Sequence, residues 1–170
     1  SAFLIASEIL GRLPLGRIDY ETTANIGWLE GGLKRNIIPE HASLDGEFRS
    51  RSNEKLADVE RKFRGVFDEV ASRYPEAKIN LDIVNTYQAY NVDAKSTTVS
   101  VISQALAAMD LEPILESTGG GSDANVFIEK GITAIPVGIG VRDFHTTWET
   151  AVIAEVLQGA QMCEAVIKGT

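Results

Sequence analysis

Residues 42–49 read Ala42-Ser43-Leu44-Asp45-Gly46-Glu47-Phe48-Arg49. Side chains alternate across a β-strand, so Ala42, Leu44, Gly46 and Phe48 share one face, and Asp45, Glu47 and Arg49 share the other. An apolar face backed by a charged one predicts a strand packed on one side and wet on the other. Upstream, Thr22–Leu29 carries Ala24, Ile26 and Trp28 at the same period of two. That is a second strand with one buried face, closed by Gly31-Gly32 and followed by a loop through Asn36-Ile37-Ile38-Pro39. Downstream, Ser52 or Asn53 can cap a long helix in which Leu56, Val59, Phe63, Val66, Phe67 and Val70 form an apolar stripe ending at Pro75. Ile79, Leu81 and Ile83 then alternate as a third strand. At the start, Leu4, Ile5, Ile9, Leu10 and Leu13 fall at helical spacing, and Pro14 and Gly16 stop that helix.

The order is helix, strand, strand, helix, strand. A ferredoxin-like βαββαβ sandwich has that order with one more strand in front. The expectation is an α+β ferredoxin-like domain over residues 1–88 that lacks its first strand, in a chain that is a piece of a longer one. Beyond residues 87–93 the pattern changes. A helix (Val99, Ile102, Ala105, Leu106, Met109) leads to a short strand at 113–116, a glycine turn, a helix at 123–130 and a strand at 132–139. A final helix turns Val152, Val156, Leu157, Ala160, Cys163 and Ile167 inward. Nearly continuous apolar strands between helices predict a parallel α/β sheet covered on both faces, so residues 89–170 read as the end of a larger α/β domain.

Composition narrows the function. The 170 residues hold 24 acids against 16 bases, a net charge of −8, and such a chain cannot neutralise a row of phosphates. No apolar run approaches the roughly 20 residues a bilayer span needs. The opening SAFLIASEILGRLP has no basic lead and includes Glu8, unlike a secretory signal. The single cysteine, Cys163, forms no intrachain disulfide and sits on a helical apolar stripe, which fits a core residue in a cytoplasmic protein.

Three stretches carry candidate chemistry. Thr118-Gly119-Gly120-Gly121-Ser122-Asp123 joins a strand to a helix; its glycines admit close backbone approach and the helix start offers N–H groups to an anion. An ordinary loop capped by Ser122 or Asp123 is the competing reading, and neither a Rossmann nor a Walker spacing is present. Asp143-Phe144-His145-Thr146-Thr147-Trp148-Glu149 follows a strand, where open α/β sheets place ligands. Zinc wants three or four donors and a lone histidine is more often structural, so His145 stays open between the two roles. Glu149 reads equally as a first-turn helix acid. Arg49 is by default a solvated strand residue, and as a functional one it suits a bidentate grip on a carboxylate.

Taken together, Asn36-Ile37-Ile38-Pro39, Asp45-Gly46-Glu47-Phe48-Arg49, Gly119-Gly120-Gly121-Ser122-Asp123-Ala124 and His145-Thr146-Thr147-Trp148-Glu149 resemble, in order along the chain, the co-catalytic zinc peptidase family. That family includes peptidase T, glutamate carboxypeptidase, aminoacylase and succinyl-diaminopimelate desuccinylase, and the likeness is greatest to peptidase T-like tripeptidases. The resemblance implies a βαββαβ lid or dimerisation domain at 1–88, followed at 89–170 by the carboxyl-terminal segment of a zinc peptidase catalytic domain. It implies two zinc ions per active site in the full-length enzyme, with His145 as a ligand of one. It also implies substrate contacts from Asn36, Arg49, Gly120, Gly121 and Ser122, a short peptide or amide substrate with a free carboxylate, and a homodimer formed through the lid. The remaining metal ligands and the general base of the family have no match in these residues, so no catalytic residue is assigned and little zinc binding is expected of this stretch alone. Trp148 stands where peptidase T relatives often carry an acid. The alternatives are an N-acyl amino acid deacylase or carboxypeptidase of the same family, or a lid and dimerisation module without activity.

Overall fold

A computed structural model of the chain describes residues 1–169. It divides into two compact units, Ser1–Ala89 and a second beginning at Tyr90. The first unit contains α1 (Ala2–Arg12), β1 (Gly16–Arg17), β2 (Thr22–Gly31), β3 (Ala42–Ser50) and α2 (Asn53–Arg73). The strands form one antiparallel sheet in the order β1-β2-β3. Helix α1 ends at Leu13, whose backbone is extended because Pro14 follows and a residue before proline is driven out of the helical region. Ser52 caps α2 by accepting from Lys55 N–H at 3.4 Å. Asn53, the other candidate cap, instead exchanges two hydrogen bonds with the backbone of Ala89 (3.3 and 3.0 Å).

Strand β3 alternates as its sequence predicts: Leu44 and Phe48 are half-buried, and Asp45, Glu47 and Arg49 are exposed. Strand β2 does so only as far as Ile26. The pairing runs Ile26 with Gly46, then Trp28 with Asp45, so Gly27 is an extra residue in a β-bulge. A bulge reverses the phase of everything after it. Trp28, expected on the buried face, therefore lies beside the outward Asp45, while Leu29 pairs with inward Leu44; both are about half exposed, at 50% and 52%. Gly46 is the residue the bulge closes on: a Cβ there would stand 2.3 Å from the Asn25 carbonyl oxygen.

The core is the α2 stripe laid on this sheet. Val59, Phe63 and Val70 cluster with Ile9, Leu13 and Ala24, and the Phe63 ring lies 5.2 Å from that of Phe48. Buried Thr22 shares a hydrogen bond with Ser50 across the strands (3.0 Å), which removes the cost of leaving its hydroxyl unpaired. The turn between β1 and β2 is stitched to α2 by Lys55, whose Nζ lies 2.7 Å from Glu21, 3.0 Å from Asp19 and 4.5 Å from the Tyr20 ring centre. The Glu21 backbone N–H and then Lys55 hold the Asp19 carboxyl down at about 2; Lys55 likewise lowers Glu21.

Residues 77–84 keep a strict in–out alternation of burial, and Ile79 and Ile83 pack on the core. They nonetheless form no ladder among the described residues, so the predicted third strand is present as a side-chain pattern without backbone pairing. Burial of one face needs only the core, whereas a ladder needs a neighbouring strand in register.

The second unit contains α3 (Thr97–Ala107), α4 (Asp123–Glu129), β4 (Val141–Arg142), β5 (Thr150–Ala151) and α5 (Ile153–Lys168). Helices α3 and α5 pack together, with Val99 and Ala105 buried on α3. Two expectations need correction here. The stretches 113–116 and 132–139 are not laddered among the described residues, and the sheet of this unit is the two-stranded antiparallel β4–β5. Helix α5 buries Met162, not the predicted stripe; Leu157 and Ile167 are exposed, as is Cys163. Helix α5 is apolar on more than one side, and periodicity alone does not choose the side that meets α3. No described helix is long and apolar enough to cross a membrane.

Candidate functional site

The most constructed loop in the second unit is the one that carries His145. Its base is the β4–β5 ladder, which pairs Val141 with Ala151 and Arg142 with Thr150 and is extended by Val152 N–H donating to the Gly140 carbonyl at 2.9 Å. Arg142 is ion-paired with Glu155 of α5 (2.5 Å). Within the loop, the Asp143 carbonyl accepts from both Thr146 N–H (3.2 Å) and Thr146 Oγ1 (2.8 Å). Thr146 Oγ1 in turn accepts from Trp148 N–H (3.1 Å), and the Thr146 carbonyl accepts from Glu149 N–H (3.2 Å). Asp143 and His145 both adopt left-handed backbone, at φ 54° and 63°. For non-glycine residues that conformation costs about 1–3 kcal/mol each and persists only where the surroundings enforce it. The Glu149 carboxylate accepts from His145 N–H at 2.8 Å. Glu149 lies ahead of α5, so it is not the first-turn acid that the sequence allowed; Glu155 has that place.

The glycine loop behaves differently. Gly120 N–H donates to Thr118 Oγ1 at 3.1 Å, and Ser122 is committed to α4 by a capping box. Its hydroxyl accepts from Ala124 N–H (3.3 Å), and its own N–H donates to Asn125 Oδ1 (3.0 Å). Gly120 and Gly121 are exposed and offer backbone alone.

In the first unit, Asn36 is exposed in a turn where Ile37 N–H donates to the Lys34 carbonyl (3.1 Å). The Pro39 carbonyl beyond it accepts from Ala2 N–H at the start of α1 (2.8 Å), anchoring the loop. Arg49 pairs with Glu47 two residues away on the same strand face (2.8 Å), which raises the guanidinium pKa. The structure does not bring Asn36 and Arg49 together. Arg49 lies seven residues along β3 from Ala42, roughly 20 Å at strand spacing, and Asn36 precedes Ala42. Glu47, which a substrate carboxylate would have to displace from Arg49, was readable in the sequence from its i,i+2 position.

The donor set for a metal is incomplete. Among the described residues no three His, Cys, Asp or Glu side chains gather, and Glu149 beside His145 is already engaged by backbone. These residues do not by themselves make a metal centre.

Residues 1–75 match the M20 family's peptidase dimerisation domain. The protein YqjE of Bacillus subtilis is 34% identical over 99% of this chain and 45% of its own length. The solved structure of aminopeptidase PepT from Bacillus cereus superimposes with a TM-score of 0.80 at 34% identity, over 98% of this chain and 44% of that one. A tripeptidase structure from Staphylococcus aureus gives 0.85 at 28% identity, over 99% of this chain and 45% of that one. The chain spans about half the length of the relatives it matches. Its first 75 residues carry the M20 peptidase dimerisation domain, and over almost its whole length the chain is similar to these two peptidase structures.

Proposed function

We propose that the protein to which these residues belong is a zinc-dependent peptidase that removes residues from the free amino end of short peptides, tripeptides among them. The observation that carries this reading is the braced His145 loop, found in a chain homologous along almost its whole length to an aminopeptidase and a tripeptidase. In this reading residues 89–170 are the closing segment of the catalytic domain, and His145 is one ligand of a two-zinc site whose other ligands and general base lie outside the described residues. Zinc supplies Lewis-acid chemistry at the scissile amide when bound. The contributions of this chain are binding and orientation. Arg49 exchanges Glu47 for the substrate carboxylate, a contact in which a planar guanidinium outperforms a lysine. The exposed backbone of Gly120 and Gly121 lines the peptide, and Ser122 holds that loop through its cap.

Residues 1–88 serve as lid and homodimerisation domain. Among the described residues, β1 covers β2 only at Thr23 and Ala24, which leaves Asn25–Gly31 available to a second copy's strand. In such a dimer Asn36 and Arg49, at opposite ends of one hairpin, attend to different parts of the assembly. The protein works in the cytoplasm in this account.

The test is turnover by the whole protein, loaded with zinc, on tripeptides with a free amino end and on N-acyl amino acids. Faster hydrolysis of the tripeptides supports the reading. Hydrolysis of the acyl amino acids alone replaces it with deacylation, and hydrolysis of neither removes it.

A further inference from the structure

We propose that Glu149 is the positioning residue of His145: its carboxylate fixes the His145 backbone in the left-handed conformation and thereby sets where the imidazole stands. The inference rests on the proposed function only in taking His145 as the working side chain.

Three observations carry it. The carboxylate meets the main chain of His145, with Glu149 Oε2 accepting from the N–H at 2.8 Å, so both ring nitrogens lie outside the contact. The φ of 63° at that residue fixes the direction of its Cα–Cβ bond and is a conformation only a few per cent of non-glycine residues adopt, histidine more readily than most, so a contact that holds it sets where the ring stands. Finally, Glu149 is itself held. Its N–H donates to the Thr146 carbonyl, and the next two residues, Thr150 and Ala151, form β5 and pair with Arg142 and Val141.

Other roles for this acid fit less well. Its carboxylate accepts no ion pair from a basic side chain among the described residues. It precedes α5 by four positions, so the helix dipole does not explain it. Its side chain bridges across the loop, and a charge-assisted bond to backbone N–H is of the strong kind. Its effect is to convert an exposed loop into a fixed mount. The Phe144 ring, 6.3 Å from the imidazole centre, shares the same exposed tip. A histidine freed from this mount would relax to right-handed or extended backbone and carry its ring away from its working position. Misplacement on the scale of an ångström costs on the order of a hundredfold in turnover.

The experiment compares Glu149→Ala and Glu149→Gln in this chain and in the whole protein. In this chain, labelled for magnetic resonance, the readouts are the His145 amide proton shift, its solvent-exchange rate and its HN–Hα coupling. Glu149→Ala is expected to speed exchange of the His145 amide roughly ten- to a hundredfold while leaving the β4–β5 amides unchanged. Glu149→Gln keeps an acceptor oxygen and is expected to restore most of the protection. In the zinc-loaded whole protein, Glu149→Ala is expected to lower kcat about ten- to a hundredfold with KM within about twofold, and Glu149→Gln to recover most of kcat. Because the Gln variant keeps shape and changes charge, a fold defect in the Ala variant does not decide the matter. An unchanged His145 amide in Glu149→Ala overturns the positioning role, whatever happens to turnover. A responding amide in a whole protein whose His145→Ala variant keeps full turnover supports the brace and overturns the proposed function.

Discussion

Phe63→Ala is the sharpest probe of the first unit. Phe63 is 5% exposed in the middle of the α2 stripe and its ring is tilted 48° against Phe48 at 5.2 Å. Truncating a buried phenylalanine to alanine costs about 3–5 kcal/mol, combining lost transfer energy with the cavity left behind. Of that, about 0.5–1.5 kcal/mol belongs to the ring pair and should appear as coupling in a double-mutant cycle with Phe48→Leu. At about 0.05–0.15 kcal/mol per residue, a unit the size of Ser1–Ala89 has roughly 4–13 kcal/mol in all, so the variant loses from about a quarter of it to all of it. The two tryptophans, Trp28 and Trp148, fall one in each unit, so Trp148→Phe leaves Trp28 fluorescence as a reporter of the first. With a urea slope of about 1 kcal/mol/M, the Phe63→Ala midpoint should fall by roughly 3–5 M, or the unit should be unfolded in buffer. A loss below about 1 kcal/mol would refute the packing of α2 on the sheet described above.

Three further predictions concern the same unit. Gly46→Ala should separate β2 from β3 at the bulge, because its Cβ would meet the Asn25 carbonyl at 2.3 Å; amide exchange at Ile26 and Glu47 should accelerate, and normal protection there would contradict the bulge. Thr22→Val should destabilise by about 0.5–1.5 kcal/mol in urea melts, the net worth of its bond to Ser50 Oγ, which still accepts from Ser52 N–H (3.1 Å), and joint Thr22→Val, Ser50→Ala should cost more because Ser52 N–H then loses its acceptor. Asp19 and Glu21 have lowered pKa values, so the stability they add is present above their unfolded values; that of Asp19 is lost as pH falls from 3.8 toward about 2, and that of Glu21 as pH falls below 4.5. Lys55→Met should flatten that acid limb of the stability curve, and an unchanged limb would show that Lys55 is not its source.

How far the sequence alone reaches depends on whether a feature is local. The α2 stripe follows from side-chain period and reappears residue for residue, and the β3 alternation reappears at Leu44, Asp45, Glu47, Phe48 and Arg49. The bulge at Gly27 was not legible, because a bulge is a property of two paired strands and Trp28 continues the apolar alternation in sequence. The face of α5 that buries Met162 depends on α3, and the missing ladders at 79–83, 113–116 and 132–139 depend on neighbours that periodicity cannot supply. At the site, motif order pointed to the His145 loop, yet the role of Glu149 arises from a left-handed backbone that no spacing encodes. Asn36 and Arg49 stand close to the same motif in sequence and far apart in space, because an extended strand separates them.

The central claim is that this chain supplies His145 to a zinc site completed by residues outside it. Metal content of the whole protein by mass spectrometry tests that most directly, for the wild type and His145→Ala after gel filtration in dilute zinc. The account predicts about two zinc ions per chain in the wild type, about one in the variant, and loss of peptide hydrolysis with the fold intact. Two retained zinc ions with undiminished turnover in His145→Ala would contradict it.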